Sequence, residues 1–238
     1  MAVAKKITRG SESAMPALNY ERVLASSNRS KPVMILGRSG GGKSKAIENL
    51  NPASTFLINV IGKDLPFRGW RRKYTEGKNM LISDNYDTIT KQLISLKSAR
   101  GITDIVIDDF QYLMADEFMR RSYEKGYEKF TEIGRHAWDL LWLVSGLGSG
   151  KIVYVLAHTE RTEDGDEKCK TIGKLLDEKI GIEGMFTIVL ACVVDKGSHF
   201  FSTVNNGKNV VKAPVGMFKD ALIPNDLRLV SQCIRAYD

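Results

Sequence analysis

The chain is marked by continuous apolar runs rather than alternating ones. Val33-Met34-Ile35-Leu36, the β-rich run Thr55–Ile61, then Ile102–Ile107, Ile152–Ala157 and Phe186–Val194 all read this way. Such runs predict strands buried on both faces. Met80–Ser83 predicts a further short strand. Between these runs the spacing turns helical. Residues 43–50 read as a helix, and Asp87–Ala99 places Ile89, Leu93 and Leu96 on one face. Ala115–Val144 is the longest helical stretch, with Gly126 and Gly134 as potential breaks and Gly146–Gly150 as its end. Residues 160–181 are polar, with a short helix predicted over Ile172–Lys179. Phe200–Val204 and Asn209–Val211 flank Asn205-Asn206-Gly207-Lys208, which predicts a hairpin turn because Asn and Gly tolerate positive φ.

Buried strands alternating with helices, followed by hairpin strands, predict an α/β fold. Its central parallel sheet is extended by late antiparallel strands. Residues 1–31 stand apart. They carry Lys5, Lys6, Arg9, Arg22, Arg29 and Lys31 against Glu12 and Glu21, with one short helical pattern over Leu18–Leu24. The chain therefore divides into a basic arm over 1–31 and a domain over 32–238. No internal repeat is present.

Composition narrows the class. The chain has 238 residues, 43% hydrophobic and 26% charged, which excludes wholesale disorder. Three cysteines, Cys169, Cys192 and Cys233, exclude a disulfide-dense scaffold and fit buried thiols in a reducing cytoplasm. No apolar run approaches the roughly 18 residues of a membrane helix. The first residues lack the apolar segment of a secretory signal. Lys and Arg number 35 against 28 Asp and Glu, a net charge of +7, which favours polyanionic partners.

The sharpest motif is Gly37-Arg38-Ser39-Gly40-Gly41-Gly42-Lys43-Ser44, a full match to G-x-x-x-x-G-K-[ST] between a predicted strand and a predicted helix. The glycines let backbone N–H groups turn inward onto phosphate oxygens. Lys43 is expected to reach the β- and γ-phosphates of a nucleotide, and the Ser44 hydroxyl to ligate Mg²⁺. The strand Ile105-Val106-Ile107 leads to Asp108-Asp109. Asp108 is expected to hold Mg²⁺ from a strand next to the loop, and Asp109 either to polarise the attacking water or to cap the following helix. Ala157-His158-Thr159 ends another strand with a candidate γ-phosphate sensor, His158. Gly146–Lys151 resembles a second such loop, but Ser145 stands where glycine is required and a strand follows. Asp164-Gly165-Asp166 fails as a calcium loop because Lys168 occupies a ligand position.

Together, Gly37–Ser44, Ile105–Asp109, His158, the late hairpin and Lys212-Ala213-Pro214 resemble the short phage-encoded P-loop ATPases with a RecA-like core, over about residues 32–220. The segment Ile107–Met114 also resembles phage nucleotide-binding proteins. The resemblance implies an ATP- and Mg²⁺-dependent recombination or annealing protein. It would act on single-stranded DNA as a ring or filament, with a single-strand-binding protein as a further partner and the host cytoplasm as its location. It also implies ATP at a subunit interface, touched by basic residues of the neighbour; Lys208 and Lys212 match that position, and the 1–31 arm would dock on the next subunit. A DNA-binding loop is implied near 159–181, although acids there weaken its field. One departure stands out. RecA-like enzymes carry a catalytic glutamate at the end of the strand after the loop helix, and here that position reads as apolar. Either Asp64 or Asp109 activates water instead, or hydrolysis is slow and ATP binding serves as an assembly switch.

The densest basic cluster is Lys63, Arg68, Arg71, Arg72, Lys73 and Lys78, interleaved with Phe67, Trp70 and Tyr74. Cations for phosphates and aromatic faces for bases suit a single strand. Trp138 and Trp142, four apart on a helix, fit core or subunit packing. Two other functions share the loop motif: a nucleotide or nucleoside kinase, which needs a lid arginine not found here, and a non-catalytic ATP-gated adaptor for replication proteins.

Overall fold

A computed structural model describes residues 28–173 and 175–237. Most of the basic arm, including Leu18–Leu24, lies outside the described residues. The strands are β1 (Lys31–Leu36), β2 (Thr55–Asn59), β3 (Met80–Ile82), β4 (Asp104–Asp108), β5 (Ile152–Ala157), β6 (Thr159–Arg161), β7 (Glu167–Cys169), β8 (Ile188–Asp195), β9 (Ser198–Ser202) and β10 (Leu222–Pro224). The α-helices are α1 (Trp70–Lys73), α2 (Tyr86–Ser98), α3 (Gln111–Arg120), α4 (Glu128–Ser145) and α5 (Leu227–Tyr237). No described helix is long and apolar enough to cross a membrane.

Eight strands form one sheet in the order β10-β9-β8-β1-β5-β4-β2-β3. The pairings from β8 through β3 are parallel, and β9 and β10 add antiparallel strands at one edge. Successive side chains of a strand face opposite sides of a sheet. In β1, Val33 and Ile35 therefore join one buried cluster, and Met34 and Leu36 the other. One face is covered by α2, α3 and α4 through Leu93, Leu113 and Leu141. The opposite face receives Ala46 and Ile47 from the 3-10 helix Ser44–Asn49, and Leu227, Val230 and Ile234 from α5. Both faces are dry, which is why the strands read as unbroken apolar runs.

Three local expectations are corrected. The hairpin turn is Asp195-Lys196-Gly197-Ser198, between β8 and β9, not Asn205–Lys208. Lys196 (φ 47°) and Gly197 (φ 79°) both take the left-handed conformation that suits a two-residue turn to strand twist. Asn205–Lys208 is instead an open loop held by Asx contacts, Asn205 Oδ1 accepting from Gly207 N at 2.6 Å and Asn206 Oδ1 from Lys208 N at 2.9 Å. The helical stretch over 115–144 does break around Gly126 (φ 93°), into α3 and α4, but not at the second expected position. Gly134 sits inside α4, where a Cβ would meet Leu175 and Leu176 at 3.4 Å, so it serves close packing rather than a break. The third correction concerns 160–181, where β6 and β7 form a small separate hairpin ahead of a π-helix over Leu175–Ile180. The Gly146–Lys151 segment is a connection. Its buried Lys151 donates to Ala99 O and Ile102 O at 2.8 Å, closing the end of α2.

Candidate functional site

The Gly37–Lys43 loop leaves the carboxyl end of β1 at mid-sheet, where β1 lies between β5 and β8. Gly37 N donates to Ala157 O at 3.2 Å, and Gly41 N to Arg38 O at 3.1 Å. A side chain at Gly37 would stand 2.8 Å from Cys192 Cβ. At Gly42 (φ 103°) it would stand 2.9 Å from His199 Nδ1, so both positions need glycine. Among the described residues, the amides of Ser39, Gly40, Gly42, Lys43 and Ser44 have no backbone acceptor. Lys43 folds over the loop and donates to Gly37 O (2.8 Å) and Arg38 O (3.1 Å). Burial lowers its pKa, opposed by the negative charge around it, including that of Asp108 and Asp109.

The acids come from the end of β4. This strand is not next to β1 as expected, because β5 lies between them. Ser44 Oγ nevertheless spans the gap and donates to Asp108 Oδ1 at 2.9 Å. Asp108 is fully buried, and its Oδ2 has no partner among the described residues. Burial, reinforced by Asp109, pushes its pKa up to about 6, while Lys63, Ser44 and Lys43 pull against that rise. Asp109 adopts φ 65°, a left-handed conformation costly for a residue with a Cβ. Its Oδ2 pairs with Lys63 Nζ, and His158 Nε2 lies 3.5 Å from its Oδ1. Burial alone would raise the Asp109 carboxyl, but the contacts from His158 and Lys63 hold it below the ordinary value.

An open cleft of about 480 Å³ is lined by Ser39, Lys43, Ser44, Lys63, Asp64, His158 and His199 among others, and Asp108 and Asp109 lie buried behind it, in contact with Ser44, Lys63 and His158 of its wall. Two lysines and a row of unbonded amides face two buried carboxylates. Such a set can hold a polyanion together with a hard cation. Asp64 sits at the rim and is engaged by Arg71 at 2.7 and 2.8 Å, in an exposed pair. Arg38 reaches outward to Glu167 of β7 at 3.3 Å.

The other expected residues fall elsewhere. Lys208 and Lys212 are exposed and do not line the cleft. Lys212 exchanges backbone bonds with Val189 at 2.8 and 3.0 Å, and Lys208 O accepts from Glu167 N at 2.8 Å. The basic cluster divides. Lys63 turns into the cleft, and Lys73 donates to Glu48 O at 2.6 Å. Phe67 and Tyr74, expected to offer faces to bases, are buried in the core instead. Arg68, Arg71 and Arg72 stay exposed, with the Arg71 guanidinium 4.6 Å over a half-buried Trp70 ring.

The sequence reading missed several residues of this region. The strand after the loop ends in Asn59, not an apolar residue; it is buried, pairs in register with Asp108, and leaves its Oδ1 without a partner among the described residues. Its signal was a single amide closing an apolar run. Gln111 Oε1 accepts from His158 N at 3.1 Å and fixes the end of β5. His199 Nδ1 donates to Gly41 O at 3.1 Å, bracing the loop from β9. Cys192 lies under Gly37 with its thiol pushed up to about 12 by burial, a packing group rather than a nucleophile. No protein-family model matches the chain, and no curated protein matches it significantly in sequence.

Proposed function

We propose that this protein is a Mg²⁺-dependent, ATP-binding P-loop NTPase with a RecA-like core. It would hydrolyse ATP while assembled head to tail on single-stranded DNA, as a phage recombination or annealing protein. The observation that carries the nucleotide half is the 2.9 Å contact of Ser44 with buried Asp108 beneath a loop of unbonded amides. The residues suit Mg²⁺. No cluster of three or more His, Cys, Asp or Glu able to hold a metal exists among the described residues, so a dedicated protein cage is not on offer. Magnesium is typically held by one or two carboxylates plus substrate phosphates, and Asp108 Oδ2 is a buried acceptor without a partner. A bound Mg²⁺ would neutralise charge on the terminal phosphates.

The chain's own groups divide the remaining tasks. The amides of Ser39, Gly40, Gly42, Lys43 and Ser44 would bind phosphate oxygens, and Lys43 would exchange two carbonyls for the nucleotide. His158 ends β5, between the strands carrying the loop and the acids, so it can respond to the terminal phosphate and to Asp109 together. Asp109 is the buried carboxylate available to take a proton from water, once Lys63 releases it.

The DNA half rests on the family resemblance and on the exposed Arg68, Arg71 and Arg72 beside Trp70. Phosphate release measured with and without single-stranded DNA tests the proposal. Hydrolysis should rise with DNA and vanish in Lys43→Ala; turnover and oligomer size indifferent to DNA would refute the DNA half. A second reading, the ATP-gated adaptor, is favoured by Asn59 at the position where RecA-like enzymes carry glutamate. Tight ATP binding with negligible turnover under all conditions would select it.

A further inference from the structure

Lys63 lies on the connection between β2 and α1. Its backbone is fixed by Asn59, whose Nδ2 donates to Lys63 O at 2.8 Å. Its side chain, 38% exposed, crosses into the cleft and pairs with Asp109. Lys43 lines the same cleft. Two ammonium groups facing one space repel each other, and each depresses the other's charge unless an anion lies between them. Here the pull of Asp108 and Asp109 outweighs the burial of Lys63 and keeps it protonated. Ser44 and Asp108 would hold the cation, whose charge would offset that of the last two phosphates. A group beside Asp109 and His158 therefore meets the terminal one.

We infer that Lys63 is a γ-phosphate ligand acting in cis: on ATP binding its ammonium moves from Asp109 to the terminal phosphate, making the site select ATP over ADP. This rests on the nucleotide reading proposed above. It reassigns Lys63 from the nucleic-acid surface to the nucleotide. It also supplies, within one subunit, the positive charge that the resemblance sought from a neighbour's Lys208 or Lys212. The exchange leaves Asp109 with His158, 3.5 Å from its Oδ1, as its remaining side-chain partner and frees its Oδ2.

The test compares affinities for Mg²⁺–ADP and for a non-hydrolysable Mg²⁺–ATP analogue in wild type, Lys63→Met and Lys63→Arg. Lys63→Met should weaken the ATP analogue by about 30-fold, the scale of one charge-assisted hydrogen bond, and leave ADP within about 3-fold. Lys63→Arg should recover most of the preference. Equal weakening of both nucleotides overturns the inference and leaves the nucleotide reading intact. Failure of wild type to bind either nucleotide overturns both. A measurement on wild type alone guards against misfolding of the variant: acylation of the Lys63 amine, followed by mass spectrometry, should be suppressed by the ATP analogue and not by ADP. Identical labelling with the two nucleotides overturns the inference as well.

Discussion

Asp108 carries the cost of the site, and removing its charge should make the nucleotide-free protein more stable. Its carboxyl titrates at about 6 against an ordinary 3.8, because burial, with Asp109 alongside, disfavours the ionised form. That interval is worth ~3 kcal/mol between the charged and neutral states. The sign follows from linkage. A carboxyl with a raised folded pKa stabilises fully below the unfolded value near 4, and the benefit is lost as pH rises through about 6. At pH 7.5 the wild-type group is ionised and the full cost is present. Asp108→Asn removes the charge and keeps an oxygen to accept from Ser44. Against the gain stands ~1 kcal/mol for a buried amide without an acceptor. The net is ~2 kcal/mol, or about 4–8 °C in melting temperature for a chain of this size. Differential scanning calorimetry without nucleotide or Mg²⁺, at several pH values, measures it. The advantage of the variant should be largest above pH 7 and shrink as pH falls from 6 toward 4. An Asp108→Asn protein no more stable than wild type at pH 7.5, or a difference independent of pH, would refute the assignment of Asp108 as a buried charge whose partners only partly offset its burial. With Mg²⁺–ATP the advantage of the variant should shrink or reverse, since the wild type, with its carboxylate for Mg²⁺, gains more stability by binding.

Two further substitutions probe the scaffold around this site. Gly42→Ala places a methyl 2.9 Å from His199 Nδ1 at φ 103°, so titration calorimetry should show at least tenfold weaker nucleotide binding, at a stability cost of about 1–2 kcal/mol. Tyr154→Phe removes the buried hydroxyl that donates to Leu227 O at 3.3 Å and should cost about 1 kcal/mol in chemical denaturation, with α5 exchanging its amides faster than the sheet.

The central sheet was legible because both of its faces are covered. Val33–Leu36, Ile105–Ile107 and Ile152–Ala157 had to be apolar at every position, and so short an unbroken apolar run fits little besides a strand with helices on both sides. The edge of the sheet was not legible in the same way. The true hairpin turn, Lys196-Gly197, is a weaker signal than Asn205-Asn206-Gly207, and only the pairing of β8 with β9 decides between them. Helix α5 was legible but went unread: Leu227, Val230 and Ile234 recur at helical steps, and Pro224-Asn225-Asp226 precede them, with Asp226 Oδ1 accepting from Arg228 N at 2.8 Å. Strand order was the larger gap. Sequence spacing says that two strands exist, not which one lies between them, so the insertion of β5 between the loop strand and the acid strand came from the structure.

That insertion explains why the site divides into residues the sequence announces and residues it hides. Gly37–Ser44 is read from adjacency along the chain, because one loop makes every contact the motif needs. Asn59, Lys63, Asp109 and His158 meet only because β2, β4 and β5 end at the same edge of the sheet, and their spacing along the chain carries no trace of it. Lys63 shows the consequence. In the sequence it is one of six cations among aromatics, and its neighbours Arg68, Arg71 and Arg72 do stay on the surface. In the fold, the backbone bond from Asn59 detaches it from that cluster and delivers its charge to Asp109. A buried amide at a strand end thus turns what composition presents as a nucleic-acid contact into part of the cleft. Lys43 and Lys63 are matched in the site by Asp108 and Asp109, so the +7 surplus remains outside it, and phosphate contacts there should be sought first at the three arginines beside Trp70.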